Sequence, residues 1–136
     1  MSKLQHFQWR LYQHTYFVWL STALSQADFA IVTAHNPKGR RLSHYANQLA
    51  HRRLIQQIKM MGYPYRELIG QSHDGGHQEL SVALACSLAQ GRAIAKQFQQ
   101  NAIYWVTKDK LVLHGVLFDM PPQPLGSFSA RCLSKS

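Results

Sequence analysis

The chain has 136 residues, enough for one domain with a hydrophobic core of its own. Lys and Arg number 15 against 6 Asp and Glu, which gives a formal net charge of +9 and a pI near 10.0. A surface of this charge favours anionic partners, most often nucleic acid. No apolar run approaches the ~20 residues of a membrane span, and no leader peptide opens the chain, so we expect no membrane partner.

The cysteines indicate the compartment. Cys86 and Cys132 have neither the spacing of metal ligands nor that of a redox pair. Free thiols in a reducing compartment are therefore expected rather than a disulfide. The simplest interpretation is a cytoplasmic protein of bacterial type.

The first part of the chain predicts an arm followed by two strands. Residues 1–14 are expected to form a short helix or an irregular arm. Residues 15–20 are rich in aromatic and β-branched side chains, which favour a strand. Residues 21–28 form a polar connector. Residues 29–34 are nearly all apolar, as is typical of a strand at the centre of a sheet.

The longest helical pattern covers residues 42–61. It begins close to Ser43, and Gly62 followed by Pro64 marks its end. Apolar residues at three- and four-residue steps predict its buried face, made of Leu42, Ala46, Leu49, Ala50, Leu54 and Met61. The opposite face carries His44, Gln48, His51, Ile55 and Lys59.

The second half predicts one more helix, at residues 88–99, and two hairpins. The hairpin strands are expected at residues 65–70, 77–85, 102–106 and 111–116. A proline-rich run at residues 121–124 is expected to end regular structure and leave residues 120–136 as a basic tail. The element order predicts a single α+β domain over residues 1–136, with one mostly antiparallel sheet and two main helices packed on one face.

Polar residues collect where the strand at residues 29–34 gives way to the helix. The first N–H groups of a helix lack internal partners and attract anions, so a site is expected there. Further along the chain, His77 and Glu79 are two residues apart and therefore share one face of a strand, where they could act as general acid and base. The candidate ligand-binding residues are Thr33, His35, Asn36, Arg40, Ser43, Asn47, His77 and Glu79.

Several of these residues also have a purely structural interpretation. Asn36 ahead of Pro37 is a common turn initiator, and Asn47 could bond the preceding loop. His77 and Glu79 could form a solvated pair beside a glycine-rich turn, and Asn101 could cap the second helix. No catalytic residue can be assigned. The sequence has no strong metal spacing, no Walker loop and no GxGxxG motif, so we expect neither a metal nor a cofactor.

The basic residues are concentrated in one part of the chain. Between Phe29 and Arg66 there is no acidic residue. Arg52 and Lys59 are seven apart and share a helix face with Tyr45, which would make a phosphate track beside an aromatic side chain. A merely solubilising surface is the alternative. The candidate nucleic-acid-binding residues are Lys38, Arg40, Arg41, Arg52, Arg53 and Lys59.

Four short motifs in order resemble a known family. They are TAHNPKGR at residues 33–40, Ser43 and Asn47 early in a helix, HQELS at residues 77–81, and FQQNAIYW at residues 98–105. The combination is similar to the uncharacterised bacterial family called domain of unknown function 3293, from about Tyr12 to the LGSF segment. The family often has Trp where this chain has His35. The resemblance implies a shared fold and a shared polar site, with the HQELS strand running alongside it, and it implies no activity.

Three functional hypotheses follow. The first is a small basic binding protein for an anionic partner, with RNA, another nucleic acid or a ribonucleoprotein surface as the favoured partner. The second is a small enzyme or sensor that holds a phosphate-bearing molecule at the strand-to-helix loop. The third is an interaction protein that uses exposed Trp9, Trp19 and Tyr12. The polar cluster favours the second hypothesis, and the net charge favours the first.

Overall fold

The computed structural model describes residues 1–24 and 27–134 and shows one curled, antiparallel sheet with three α-helices. The strands are β1 (Tyr16–Trp19), β2 (Phe29–Thr33), β3 (Tyr65–Gln71), β4 (Gln78–Leu84), β5 (Ala102–Thr107), β6 (Lys110–Gly115) and β7 (Gln123–Ser127). The helices are α1 (Lys3–Tyr12), α2 (His44–Met61) and α3 (Leu88–Gln97). The predicted α+β fold with a single antiparallel sheet is confirmed. Residues 25–26 of the predicted connector and residues 135–136 of the predicted tail lie outside the described residues.

The sheet is built around β2. Its spatial order is β1-β3-β4-β2-β5-β6-β7, so β2 lies fourth of seven strands and pairs with β4 and β5. Four of its five residues are buried, because both faces of this strand are covered. Ala30 and Val32 face one side of the sheet, and Phe29 and Ile31 face the other.

One side of the sheet forms a core with two helices. Leu54 and Ile58 of α2 and Ile94 of α3 share a cluster with Val32, Leu84 and other side chains of the sheet. Helix α3 comes very close to β2, since a Cβ placed on Gly91 would lie 2.7 Å from the Cβ of Ala30. Only glycine allows this approach without a shift of the backbone.

The other, concave side of the sheet holds a second cluster, centred on Phe17, Ile31 and Phe128. The sheet curls far enough for its two ends to meet. Phe17 of β1 forms a parallel bridge with Cys132, and the N–H of Leu133 donates to the Phe17 carbonyl over 2.7 Å. The concave side is therefore enclosed, which is where a cavity can form.

Helix α1 covers one end of this concave side. Ser2 caps it with a reciprocal bond pair with Gln5, so the predicted arm or short helix is a helix. Trp9 packs against Leu113 and Phe118 and is only 3% exposed. The hypothesis of an interaction surface with exposed Trp9 is therefore wrong on this residue.

Helix α2 begins and ends where the sequence predicts, but its buried face is rotated from the predicted one and shares only Leu54 with it. Ser43 caps its start, and Gly62 ends it with φ of +78°. Its buried residues are Asn47, His51, Leu54 and Ile58, whereas Leu42 and Met61 are exposed. The predicted orientation was wrong because the buried His51 and Asn47 both have polar partners: Nε2 of His51 lies 2.6 Å from Glu67 Oε1, and Asn47 bonds the loop before the helix.

The predicted basic tail is wrong over its first half. Strand β7 (Gln123–Ser127) pairs with β6, and Pro124 lies within it. Proline is tolerated there because β7 is an edge strand and its outer N–H groups need no partner. Asp109, in the turn before β6, accepts hydrogen bonds from Ser127 and Ser129 and so fastens the end of β7.

Within the described residues, no helix combines the length and the apolar content that crossing a membrane requires.

Candidate functional site

A cavity of about 470 Å³ lies between the concave side of the sheet and α1. Its inner wall includes Ile31 and Thr33 of β2, Ser81 of β4 and Tyr104 of β5, and its other wall includes Tyr12 of α1. The volume is typical of pockets that hold small molecules. Because the lining comes from α1 and from all of strands β1 to β5, folding brings together residues that are distant in sequence.

Gly70 helps to keep this space open. It lies on β3 between Phe17 of β1 and Glu79 of β4 in the strand register. A Cβ at this position would meet the side chains of Thr15 and Ser81 at 3.5 and 3.7 Å, which are ordinary contact distances. A larger side chain would therefore extend among residues that line the cavity.

Asn36 is the centre of a hydrogen-bond network at one wall. It has a left-handed backbone, with φ of +50° and ψ of +61°. Its Oδ1 accepts from the Leu42 N–H at 2.9 Å and from Asn47 Nδ2 at 3.0 Å, while its own N–H donates to Asn47 Oδ1 at 2.9 Å. The backbone N–H of Leu42 can only donate, so the side-chain atom of Asn36 that faces it must be the oxygen. The Asn36 amide therefore has one orientation, in which Nδ2 faces Glu79.

Glu79 is the carboxylate among the side chains that line the cavity. Its Oε2 accepts from Asn36 Nδ2 at 3.0 Å and lies 3.5 Å from His77 Nε2. Within the described residues, its Oε1 has no hydrogen-bond partner, and this atom is not buried. We call the hydrogen-bonded series of side chains Asn47–Asn36–Glu79 the amide relay. It fixes the Glu79 carboxylate at the cavity wall and leaves its Oε1 available.

Two histidines beside Glu79 differ in their electrostatics. The hydrogen bond to Glu79 raises the pKa of His77, whereas burial lowers the pKa of His35. His77 is therefore closer to the cationic state at neutral pH, and His35 is neutral. Arg41 also lines the cavity and lies near enough to His77 for its charge to oppose protonation of that ring. The rim thus carries cationic groups around a single carboxylate.

The end of α1 is tied to the sheet by polar contacts. Asn101 Nδ2 donates to the Tyr12 hydroxyl at 3.1 Å. The Tyr104 hydroxyl donates its single proton to the Tyr12 carbonyl and accepts from the Thr15 hydroxyl at 2.7 Å. Arg131 donates to two carbonyls of the α1–β1 connection. Burial raises the pKa of both tyrosines, so their hydroxyls remain protonated at neutral pH.

The structure brings together most of the predicted ligand-binding residues. Thr33, His35, Asn36, His77 and Glu79 all line the cavity. Asn47 lies behind them and supports Asn36, so its structural role is the one observed. Ser43 caps α2 and bonds Ala46, and Arg40 is exposed outside the lining, where its neighbour Arg41 takes part instead.

The predicted nucleic-acid-binding residues are all exposed or at a groove. Tyr45, Arg52 and Lys59 lie on the outer face of α2, and Tyr45 is 69% exposed. Arg53 borders a second groove between α2 and the loop after α3. Within residues 1–24 and 27–134, both ion pairs join a histidine to a glutamate, so neither uses a lysine or arginine.

The lining residues that were not predicted as part of the site from the sequence include Tyr12, Gln100, Asn101 and Tyr104. Asn101 was interpreted as a helix cap, but α3 ends at Gln97 with Phe98 as its cap, and Asn101 is buried against Tyr12. Gln100 is buried and donates to the carbonyls of His35 and Phe98. Gly70, inside a predicted strand, was the available signal, since such a glycine often marks close approach or a bound molecule.

Comparison with known proteins identifies a family. The family model described as Protein of unknown function (DUF3293) matches residues 32–103, just over half of the chain. This region runs from the end of β2 to the start of β5 and contains the whole amide relay. No curated protein and no solved structure matches the chain significantly. The chain therefore belongs to the DUF3293 family.

Proposed function

We propose that the protein is a small enzyme or sensor that binds a phosphate-bearing small molecule in the cavity. The observation that carries the proposal is the cavity of about 470 Å³ with a carboxylate fixed at its wall and cationic groups at its rim. A carboxylate fixed by two successive amides has little freedom left. Such fixed polar groups in a mostly enclosed site are how proteins orient small ligands.

The charges at the rim support a phosphate group there. Arg41 and His77 both line the cavity, and the bond to Glu79 favours the protonated form of His77. Arginine and protonated imidazole both form charge-assisted hydrogen bonds with phosphate oxygens. If a reaction is catalysed, His77 and Glu79 are the acid–base pair, since their side chains are 3.5 Å apart.

The experiment is native mass spectrometry of protein purified from cells without unfolding. A bound molecule of small mass is expected on the wild type and on Gly70→Ala, whose added methyl group has room. Gly70→Phe should lose it, because the ring would occupy the cavity. A bound species that remains on Gly70→Phe would contradict the proposal, and so would co-purifying nucleic acid in place of a small molecule.

Nucleic acid is a second candidate partner, and the exposed face of α2 favours it. Tyr45, Arg52 and Lys59 project from one helix face, and neither lysine nor arginine takes part in the ion pairs of the described residues. Such a face would contact phosphates and give weak sequence discrimination. With Arg41 and Arg53 also engaged, log affinity should fall with log salt at a slope of roughly −3 to −4.

Charge reversal on this face tests the second candidate. Arg52→Glu with Lys59→Glu should weaken binding of labelled RNA or duplex DNA by about tenfold or more, since two phosphate contacts become repulsions. Lys96→Glu with Lys110→Glu changes the net charge by the same amount, but on α3 and β6, and is the matched control. Equal binding by both double variants, or binding that does not depend on salt, would exclude a specific phosphate track on α2.

We also propose a cytoplasmic location in a bacterial cell. Both Cys86 and Cys132 are free thiols, and burial raises the pKa of Cys86 to about 11, so this thiol is unreactive. Free thiols of this kind suit a reducing compartment. Fractionation of cells that express the tagged protein at its natural level tests the location.

A further inference from the structure

We infer that the molecule bound in the cavity carries a cationic nitrogen group, such as a protonated amine, and that Oε1 of Glu79 binds it. The inference rests on the proposed function, because it specifies the ligand of the same cavity. It concerns a second part of that ligand, distinct from the phosphate expected at the rim.

The first observation is the unused oxygen of Glu79. Asn36 and His77 both approach Oε2, at 3.0 and 3.5 Å, and Oε1 has no partner within the described residues. The amide relay fixes which oxygen is used, since the Asn36 amide cannot turn round without losing its bond from the Leu42 N–H. A carboxylate oxygen that is open to the cavity and accepts no hydrogen bond from the described residues is available to a ligand N–H.

The second observation is an amide oxygen on another residue of the cavity lining. Gln100 donates through Nε2 to the carbonyls of His35 and Phe98, so its orientation is also fixed, and its Oε1 has no partner among the described residues. Gln100 lines the cavity next to His35, which precedes Asn36. Two available acceptors in the lining favour a ligand that donates hydrogen bonds.

The third observation is the charge of the enclosed part of the cavity. Tyr12, His35 and Tyr104 line the cavity together with Glu79. Burial keeps both phenols protonated and His35 neutral, so none of these three groups carries a charge at neutral pH. His77 contacts Oε2 of Glu79, and the neutral aromatic groups leave Oε1 of this carboxylate to attract a cationic group of the ligand.

A pair of simple compounds tests the inference. Phosphoethanolamine and ethyl phosphate carry the same anion and differ in an ammonium group against a hydrogen. Binding to the folded protein is measured for both by titration calorimetry or by ligand-observed NMR. The amine compound should bind roughly ten- to a hundredfold more tightly, which is the range for a hydrogen bond to a charged group.

Two variants assign this preference to one residue. Glu79→Gln keeps the shape and an acceptor for Asn36, and it should remove most of the advantage of the amine while changing the binding of ethyl phosphate much less. Asp28→Asn removes an exposed carboxylate at the opposite end of β2 and should leave the advantage intact. Thermal unfolding of both variants checks that the fold is retained.

The outcomes separate the inference from the proposed function. Equal binding of the two compounds, or a preference for the amine that survives in Glu79→Gln, overturns the inference and leaves the cavity as a phosphate-ligand site. Absence of binding by both compounds, or binding that persists when Gly70→Phe fills the cavity, overturns the proposed function and the inference with it.

Discussion

Replacement of Asn36 by glycine gives the sharpest test of the amide relay. Glycine accepts the left-handed backbone of this residue, φ of +50° and ψ of +61°, without strain. The substitution therefore removes the side-chain hydrogen bonds to Leu42, Asn47 and Glu79 and leaves the course of the loop unchanged.

The magnitude follows from the burial of these bonds. The bond from Leu42 is exposed and water can replace it, whereas those with Asn47 and Glu79 are partly buried and contribute about 1 kcal/mol each. Asn47 is only 7% exposed, and in the variant its Nδ2 group loses its acceptor. A buried donor without a partner costs roughly 1 kcal/mol more. We expect the free energy of unfolding to fall by about 2–4 kcal/mol.

Urea unfolding followed by tryptophan fluorescence measures this change. Gln99→Gly is the matched control, because Gln99 also has a positive φ, of +56°, but is exposed and makes no side-chain hydrogen bond among the described residues. Its stability should stay the same or rise slightly. Asn36→Ala should be about 1 kcal/mol less stable than Asn36→Gly, because the left-handed backbone disfavours a Cβ. A loss no larger in Asn36→Gly than in Gln99→Gly would refute the relay.

Three further outcomes are expected. Gly91→Ala should lower the free energy of unfolding by about 1 kcal/mol despite the better helix propensity of alanine, since its Cβ would lie 2.7 Å from that of Ala30. Denaturant unfolding measures this change, and a higher stability in Gly91→Ala would contradict it. In NMR titrations, the pKa of His77 should lie above about 6.5 and fall in Glu79→Gln, and no fall would mean that the pair does not interact in solution. The stability that the raised pKa of His77 contributes is present below about pH 6.5 and is lost as pH rises through the folded-state pKa. The pKa of His35 is lowered by burial and acts in the opposite direction, so the free energy of unfolding should fall as pH drops below about 6.5. An NMR titration that gives His35 a pKa above about 6.5 would contradict its burial.

The parts of the fold that depend on local pattern could be predicted from the sequence. The apolar run of β2 and the caps Ser43 and Gly62 of α2 are determined within a few residues along the chain. These features fixed the central strand and the longest helix. The sequence also indicated Asn36, His77 and Glu79, because polar residues near strand ends are where sites form.

The parts that depend on spatial partners could not be predicted. His51 is polar and was expected to face solvent, yet it is buried because Glu67, on a strand later in the chain, provides its partner. Strand β7 was missed because its proline is compatible only with an edge, and no local pattern tells an edge strand from a tail. Tyr12 and Asn101 are hydrogen-bonded to each other at the cavity lining although they are 89 positions apart in the sequence. No local pattern near either residue predicts this contact.

The central claim is that the cavity, rather than the outer face of α2, is where this protein binds its ligand. The most direct measurement is a titration of ¹⁵N-labelled protein with the small-molecule fraction of a cell extract, followed by backbone amide shifts. Shifts are predicted at Thr33, Glu79 and Asn101 in the wild type and in Gly70→Ala, and none of them in Gly70→Phe. Shifts confined to the outer face of α2, or the same cavity shifts in Gly70→Phe, would contradict the account.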